Sequence, residues 1–208
     1  MNHPEIDRLI SRYRDLSVCR TDIAAAADLL SRTFRAGGLV LSLGHGASSF
    51  IAEQFVSSLL QRPRPIPAAL RSRLEADHGE RGERLSSGLQ GGLPGLALTG
   101  PGGLFSTIAA GAGTELIYAQ QVYSYARSGD ALVIISSGQP APEHQAALRL
   151  AGSLGLHRIV LCGREAEGWQ GLADCLVRVP RVTATEIQEL HLPVCNALAV
   201  MLEQEFFL

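Results

Sequence analysis

The chain has 208 residues, of which 18 are basic and 20 acidic, for a formal net charge of −2, and every basic residue is arginine. Without lysine there is no Schiff-base or pyridoxal-phosphate anchor, no Walker P-loop and no protein-kinase lysine. The near-balanced charge leaves no electrostatic footprint for nucleic acid or an anionic membrane.

With 46% hydrophobic and 18% charged residues the composition is that of a globular protein, long enough for a sizeable core. No run approaches the roughly 18 apolar residues that span a bilayer. The opening MNHPEIDRL carries acids and no apolar stretch of the kind a secretion signal needs. A cytoplasmic location is the expectation. Cys19, Cys162, Cys175 and Cys195 are widely spaced, with no CxxC pair, and read as four free or buried thiols.

Residues 1–36 read as a helical pair. Ile6, Leu9, Ile10, Tyr13 and Leu16 recur at helical spacing. A second helix starts near Thr21–Asp22, runs through Ala26, Leu30 and Phe34, and stops at Gly37–Gly38. Then the period changes. Residues 39–43 form a short apolar run that leads straight into Gly44-His45-Gly46-Ala47-Ser48-Ser49 and a helical pattern to about Leu60. The same unit returns at 131–135, followed by Ser136-Ser137-Gly138 and a helix over 143–154. Further buried strands are expected at 95–99, 158–162 and 175–179, and helices at 103–110, 114–126, 165–172 and 186–206.

Five short apolar strands alternating with helices predict a three-layer α/β/α sandwich on a five-stranded parallel sheet, doubly wound, with added N-terminal helices. Ligands of such sheets bind beyond the carboxyl ends of the strands, where the Gly/Ser loops fall. Residues 62–93 stand apart as an insertion: RPRPIP, then a charged stretch, then SSGLQGGLP. A solvated helix or mobile loop is the plain reading of its mixed charges, and a lid or oligomer contact the sharper one.

A strand that ends in Gly-His-Gly-Ala-Ser-Ser before a helix can cradle an anion, because its glycines allow close approach and the first helical N–H groups are unpaired. It is neither a Walker loop nor GxGxxG. Alone, Ser48 reads as a helix cap; two such loops on one sheet point to a small phosphorylated ligand.

The stretches FRAGGLVLSLGHGAS, LPGLALTG, IYAQQVYSYARSGDALVIISSG, LADCLVRVP and EIQELHLPVCNALAVMLEQEFF together resemble a sugar-isomerase (SIS) domain of the phosphoheptose isomerase group, over nearly the whole chain. The resemblance implies one SIS domain over 1–208. It also implies an aldose–ketose isomerisation of sedoheptulose 7-phosphate, and a homo-oligomer, tetramer or dimer. Its phosphosugar-binding residues would be Gly44, His45, Gly46, Ser48, Ser49, Ser136, Ser137, Gly138 and Gln188.

The resemblance also exposes departures. Active members carry a glutamate on the helix after the first loop and a histidine on the last helix; here those positions fall on Ser58 and Asn196. Neither residue titrates near neutral pH, so neither can shuttle the proton. Gln54 and Ser58 also stand at two metal-binding positions of the family, leaving Gln188 alone, so no metal and no cofactor are expected. The second loop is one residue short and contains Pro140, and Gly111 replaces an expected aspartate.

Glu53 lies five residues from Ser58, about 140° around the helix and so on another face. His45 is the candidate substitute base, and against that stands a hydrogen-bonded loop histidine. His191 and Glu189 read as structural or interfacial, His78 as solvated, His144 as a polar residue at its helix start, and Trp169 as packing beside the fourth strand. The reading leans away from catalysis, toward a sugar-phosphate-binding or partner-binding scaffold, its protein partner unidentified. The alternative is an active phosphosugar isomerase with rearranged chemistry.

Overall fold

A computed structural model of the chain describes residues 4–60, 62–100 and 102–208. Helix α1 (Pro4–Arg12), a 3-10 segment (Arg14–Cys19) and α2 (Arg20–Arg35) lead into β1 (Val40–Gly44) and α3 (Ala47–Leu60). The middle of the chain holds β2 (Arg62–Pro65), α4 (Ala68–His78), α5 (Glu80–Gly88), β3 (Gln90–Gly91), β4 (Gly95–Ala97) and α6 (Gly102–Ala112). After α7 (Ile117–Tyr125) come β5 (Ala131–Ile135), α8 (Pro142–Leu154), β6 (His157–Cys162), β7 (Cys175–Arg178) and α9 (Ala184–Phe207).

Five strands form one parallel sheet in the order β4-β1-β5-β6-β7. The alternation of side chains along each strand divides the core in two. Val40, Val133, Ile135, Ile159 and Leu161 face α1, α2, α3 and α9. Leu41, Leu43, Leu132, Ile134 and Val160 face α7 and α8. Both faces are covered, which is why β1 and β5 are buried throughout and apolar but for Ser42. The chain leaves β1 for the sheet edge at β4, then returns past β1 to β5. The reversal opens a crevice at the carboxyl ends of β1 and β5. Their opposite ends are pinned by buried Asp130, whose carboxylate accepts the Leu39 N–H at 2.7 Å and the Arg127 N–H at 2.6 Å.

Several expected elements differ. The helix expected at 165–172 is only a 3-10 turn, Glu167–Trp169; Gly171 takes a φ of +75° and Gln170 is extended, so the helical path ends there. The helix expected at 114–126 is split, with a 3-10 turn at Thr114–Leu116 ahead of α7. The strand expected at 95–99 stops at Ala97. Helix α9 continues through Pro193.

Between α3 and β4, β2 and β3 pair antiparallel, and α4 and α5 pack on each other. Gly82 makes that contact possible: a Cβ there would lie 1.8 Å from the Leu74 carbonyl oxygen. Helix α4 buries none of its own residues. No described helix is long and apolar enough to cross a membrane.

Candidate functional site

β1 and β5 are hydrogen-bonded neighbours, with Gly44 opposite Ile135, so the loops beyond them emerge side by side. Gly44 sits where only glycine fits: a Cβ would lie 2.5 Å from the Ser48 carbonyl oxygen and 3.0 Å from that of Ile135. Gly46 then turns the chain at a φ of +53°. The loop consumes much of its own polarity. The Ser48 and Ser49 N–H groups bond the carbonyls of His45 and Gly46, and the Ser49 hydroxyl also donates to Gly46. The Ser48 hydroxyl is buried without a partner among the described residues.

What the first loop presents outward is His45. Its Nε2 lies 3.2 Å from Glu143 Oε1, on the first turn of α8, so this contact ties the first loop to the helix after the second. Beneath His45 lies a cluster of rings. The His144 ring centroid is 4.3 Å away, Tyr118 is 5.5 Å away, and Trp169 lies 5.5 Å beyond His144. The Tyr118 hydroxyl donates to the Gly44 carbonyl at 3.3 Å.

His144 stands in the first turn of α8, as the sequence predicts, and is buried there, because the rings of Tyr118, His45 and Trp169 enclose it. Its Nδ1 accepts the Ala141 N–H at 3.2 Å, which leaves the proton of the neutral ring on Nε2, a buried donor without a partner among the described residues. Burial first, and then the neighbouring His45, lower its pKa to about 4. Burial, and then Glu143, push the Tyr118 hydroxyl up to about 12. Both rings are neutral near pH 7.

A cleft of about 340 Å³ opens over this surface, lined by Gly44, His45, Gly46 and Ser49 from the loop, with Glu53, Thr99, Phe105, Ile117, Tyr118 and Glu143 around it. Two carboxylates, one imidazole and an aromatic wall can hold a small polar ligand and accept its hydroxyl protons. Glu53 lies off the face of Ser58, as the helical wheel gives, and its own face is the one that lines the cleft. Chain-local reasoning missed Glu143 and Tyr118. An acid in a helix first turn reads as a dipole complement, and only the pairing of β1 with β5 brings Glu143 to His45.

The second loop differs. Ser136 is buried, and its hydroxyl lies 3.3 Å from both the N–H and the carbonyl of Gly138. The Gly138 carbonyl also accepts the Trp169 indole N–H at 3.1 Å. Trp169 is therefore more than packing: it holds the loop. Ser137 accepts from Gln188 Nε2 at 3.2 Å, and a smaller cleft of about 120 Å³ is lined in part by Ser137, Gly138, Gln139 and Arg181.

Ser58 and Asn196 line neither cleft. Asn196 opens instead into a groove of about 430 Å³ between α1 and α9, with Arg8, Arg12 and Tyr13. His191 is fully buried, and burial lowers its pKa to about 4 against the opposing effect of the Cys162 backbone. His78 and Glu189 are exposed. Among the described residues no group of three or more His, Cys, Asp or Glu side chains is arranged to hold a metal ion.

No family model matches the chain. It is 31% identical over 184 residues to a phosphoheptose isomerase of Sodalis glossinidius, across 88% of this chain and 82% of the relative. It is 27% identical over 186 residues to one of Geobacter sp. strain M21, across 89% and 85%. Among solved structures it is similar to a phosphoheptose isomerase from Francisella tularensis, with a TM-score of 0.72, 25% identity and coverage of 95% of this chain and 97% of that one.

Proposed function

Since the chain belongs to the phosphoheptose isomerase family of SIS-domain proteins, we propose that it binds a phosphorylated sugar at the carboxyl ends of β1 and β5 and serves as a sugar-phosphate-binding or partner-binding scaffold. The observation that carries the binding is the side-by-side emergence of two Gly/Ser loops at the reversal of the strand order, where doubly wound sheets take their ligands. The phosphoryl group goes to Ser136, Ser137 and Gly138, with Gln188 behind them. The sugar lies over Gly44, His45, Gly46, Ser48 and Ser49.

Ser58 and Asn196, at the positions where the family resemblance places acid and base, have no group that moves a proton near neutral pH. Neither lines the His45 cleft, and Asn196 opens into the groove between α1 and α9. The same family reading gives a homo-oligomer, tetramer or dimer, supported by the exposed Phe50 and Tyr123 side chains. A cytoplasmic location goes with it.

One observation favours a second reading, an aldose–ketose isomerase with rearranged chemistry: the His45 imidazole against the Glu143 carboxylate, the arrangement of a base with an orienting acid. Incubation with sedoheptulose 7-phosphate, followed by NMR, separates the two. The scaffold reading gives a thermal shift with the sugar phosphate and no aldose product. Turnover that disappears in His45→Ala establishes the isomerase instead, and no thermal shift at millimolar ligand removes both.

A further inference from the structure

We propose that the α4–α5 hairpin of the insertion is a self-association surface, on which α4 packs antiparallel against α4 of a second copy of this chain across a two-fold axis. The insertion leaves and rejoins the body at the amino end of the sheet, opposite the crevice. There the Leu59 carbonyl accepts the Leu93 N–H at 2.8 Å, and the Pro94 carbonyl accepts the N–H of Val40, the first residue of β1, at 3.0 Å. Within the hairpin, α5 buries only Gly82 and Ser86, and both meet α4. Gly82 closes on the Leu74 carbonyl, and the Ser86 hydroxyl donates to Glu75 Oε1 at 3.2 Å. Helix α4 buries nothing of its own, and Leu70, Leu85 and Leu89 are left exposed, apolar surface that a further helical layer would cover.

The order of charges selects the occupant. Leu70, Arg73, Leu74 and Asp77 recur at i, i+3, i+4 and i+7, so they share one stripe of α4. Along the helix the arginines, Arg71 and Arg73, come first and the acids, Glu75 and Asp77, come last. That order opposes the helix dipole, which favours acids at the N-terminus and bases at the C-terminus, so it does not serve the helix alone. An antiparallel copy makes use of it. Arg73 of each copy meets Asp77 of the other on both sides of the axis, as a two-fold contact requires, with Leu70 and Leu74 beside them. A parallel copy would set like charges together. Across the hairpin the arginines at 71, 73, 81 and 84 balance the acids at 75, 77, 80 and 83, leaving no net charge to draw nucleic acid or an anionic membrane. The contact is separate from the exposed Phe50 and Tyr123, which lie on α3 and α7, and adds a second interface to any assembly made through them.

Analytical ultracentrifugation of the full chain tests the pairing. The wild type should assemble, and Arg73→Asp, Asp77→Arg and Leu70→Asp should each weaken the assembly about tenfold or more, halving its mass at a fixed concentration with helix content by circular dichroism unchanged. The double exchange Arg73→Asp with Asp77→Arg rebuilds both pairs with their signs reversed and should restore the mass, which a hairpin that had merely unfolded could not do. A double exchange that stays as dissociated as the single variants overturns the antiparallel register. An assembly whose mass none of the variants changes overturns the hairpin contact and leaves association through Phe50 and Tyr123 standing, whereas a monomeric wild type removes both. Co-sedimentation of the wild type with phosphatidylserine vesicles, lost in Arg73→Asp, would give the face to a lipid surface and overturn the pairing.

Discussion

The loop after β1 and the loop after β5 are both made of glycine and serine and leave neighbouring strands, yet they present different chemistry. In the first, the serines turn inward or bond the loop's own backbone. Its outward face is furnished by His45 and by Glu53, Glu143 and Tyr118 from three helices. In the second, Ser137 meets Gln188 of α9, and the Trp169 indole holds the Gly138 carbonyl. Loop composition fixes where the backbone turns; the elements packed over the loop decide what a ligand meets. That contrast is the basis on which we propose the sugar at one end and the phosphoryl group at the other.

The hardest break is at the second loop. Trp169→Ala removes a fully buried ring together with the donor to Gly138, and should cost about 3–5 kcal/mol with phosphate binding lost alongside. A variant that keeps its melting temperature and its phosphate affinity would mean the ring does not organise the loop. At the first loop, Gly44→Ala drives a methyl into the Ser48 and Ile135 backbone and should cost about 1–3 kcal/mol, with sugar-phosphate binding falling. Retention of both stability and affinity would contradict the close packing of that turn.

Acidification probes the floor beneath the first loop. His144 and His191 have pKa values near 4 in the folded chain, against about 6.5 when unfolded. The unfolded chain therefore binds more protons between those values. Stability is full above about pH 6.5 and falls toward pH 4, by about 1.4 kcal/mol per pH unit for each group. Melting curves across that window should show the decline, and His144→Gln should make it shallower. A flat profile in the wild type would contradict the burial of both rings in neutral form. The smallest effect belongs to Ser48→Ala. Its hydroxyl is buried without a partner among the described residues, so stability should hold or rise slightly. A clear loss of stability would reveal a partner for that hydroxyl.

The sheet was legible because its signal is local. Apolar runs such as 131–135 ending at Gly/Ser loops specify buried parallel strands whatever lies around them. The stretch 165–172 differs, since its periodicity suggests a helix while Gly171 releases the chain into a turn. The site was legible only in part. His45 stands out as a histidine in a strand-end loop. Its partner Glu143 lies 98 residues further on in the numbering and joins it through the pairing of β1 with β5. The burial of His144 likewise depends on Tyr118 and Trp169 converging from different elements, which no single-stretch pattern records.

The most direct measurement is a crystal structure of the chain with sedoheptulose 7-phosphate. The expected result is an unreacted ketose, its phosphoryl group on Ser136, Ser137 and Gly138 and its hydroxyls in the cleft over Gly44, His45 and Gly46. A ligand seated in the groove beside Asn196, or converted to the aldose in the crevice, would contradict it.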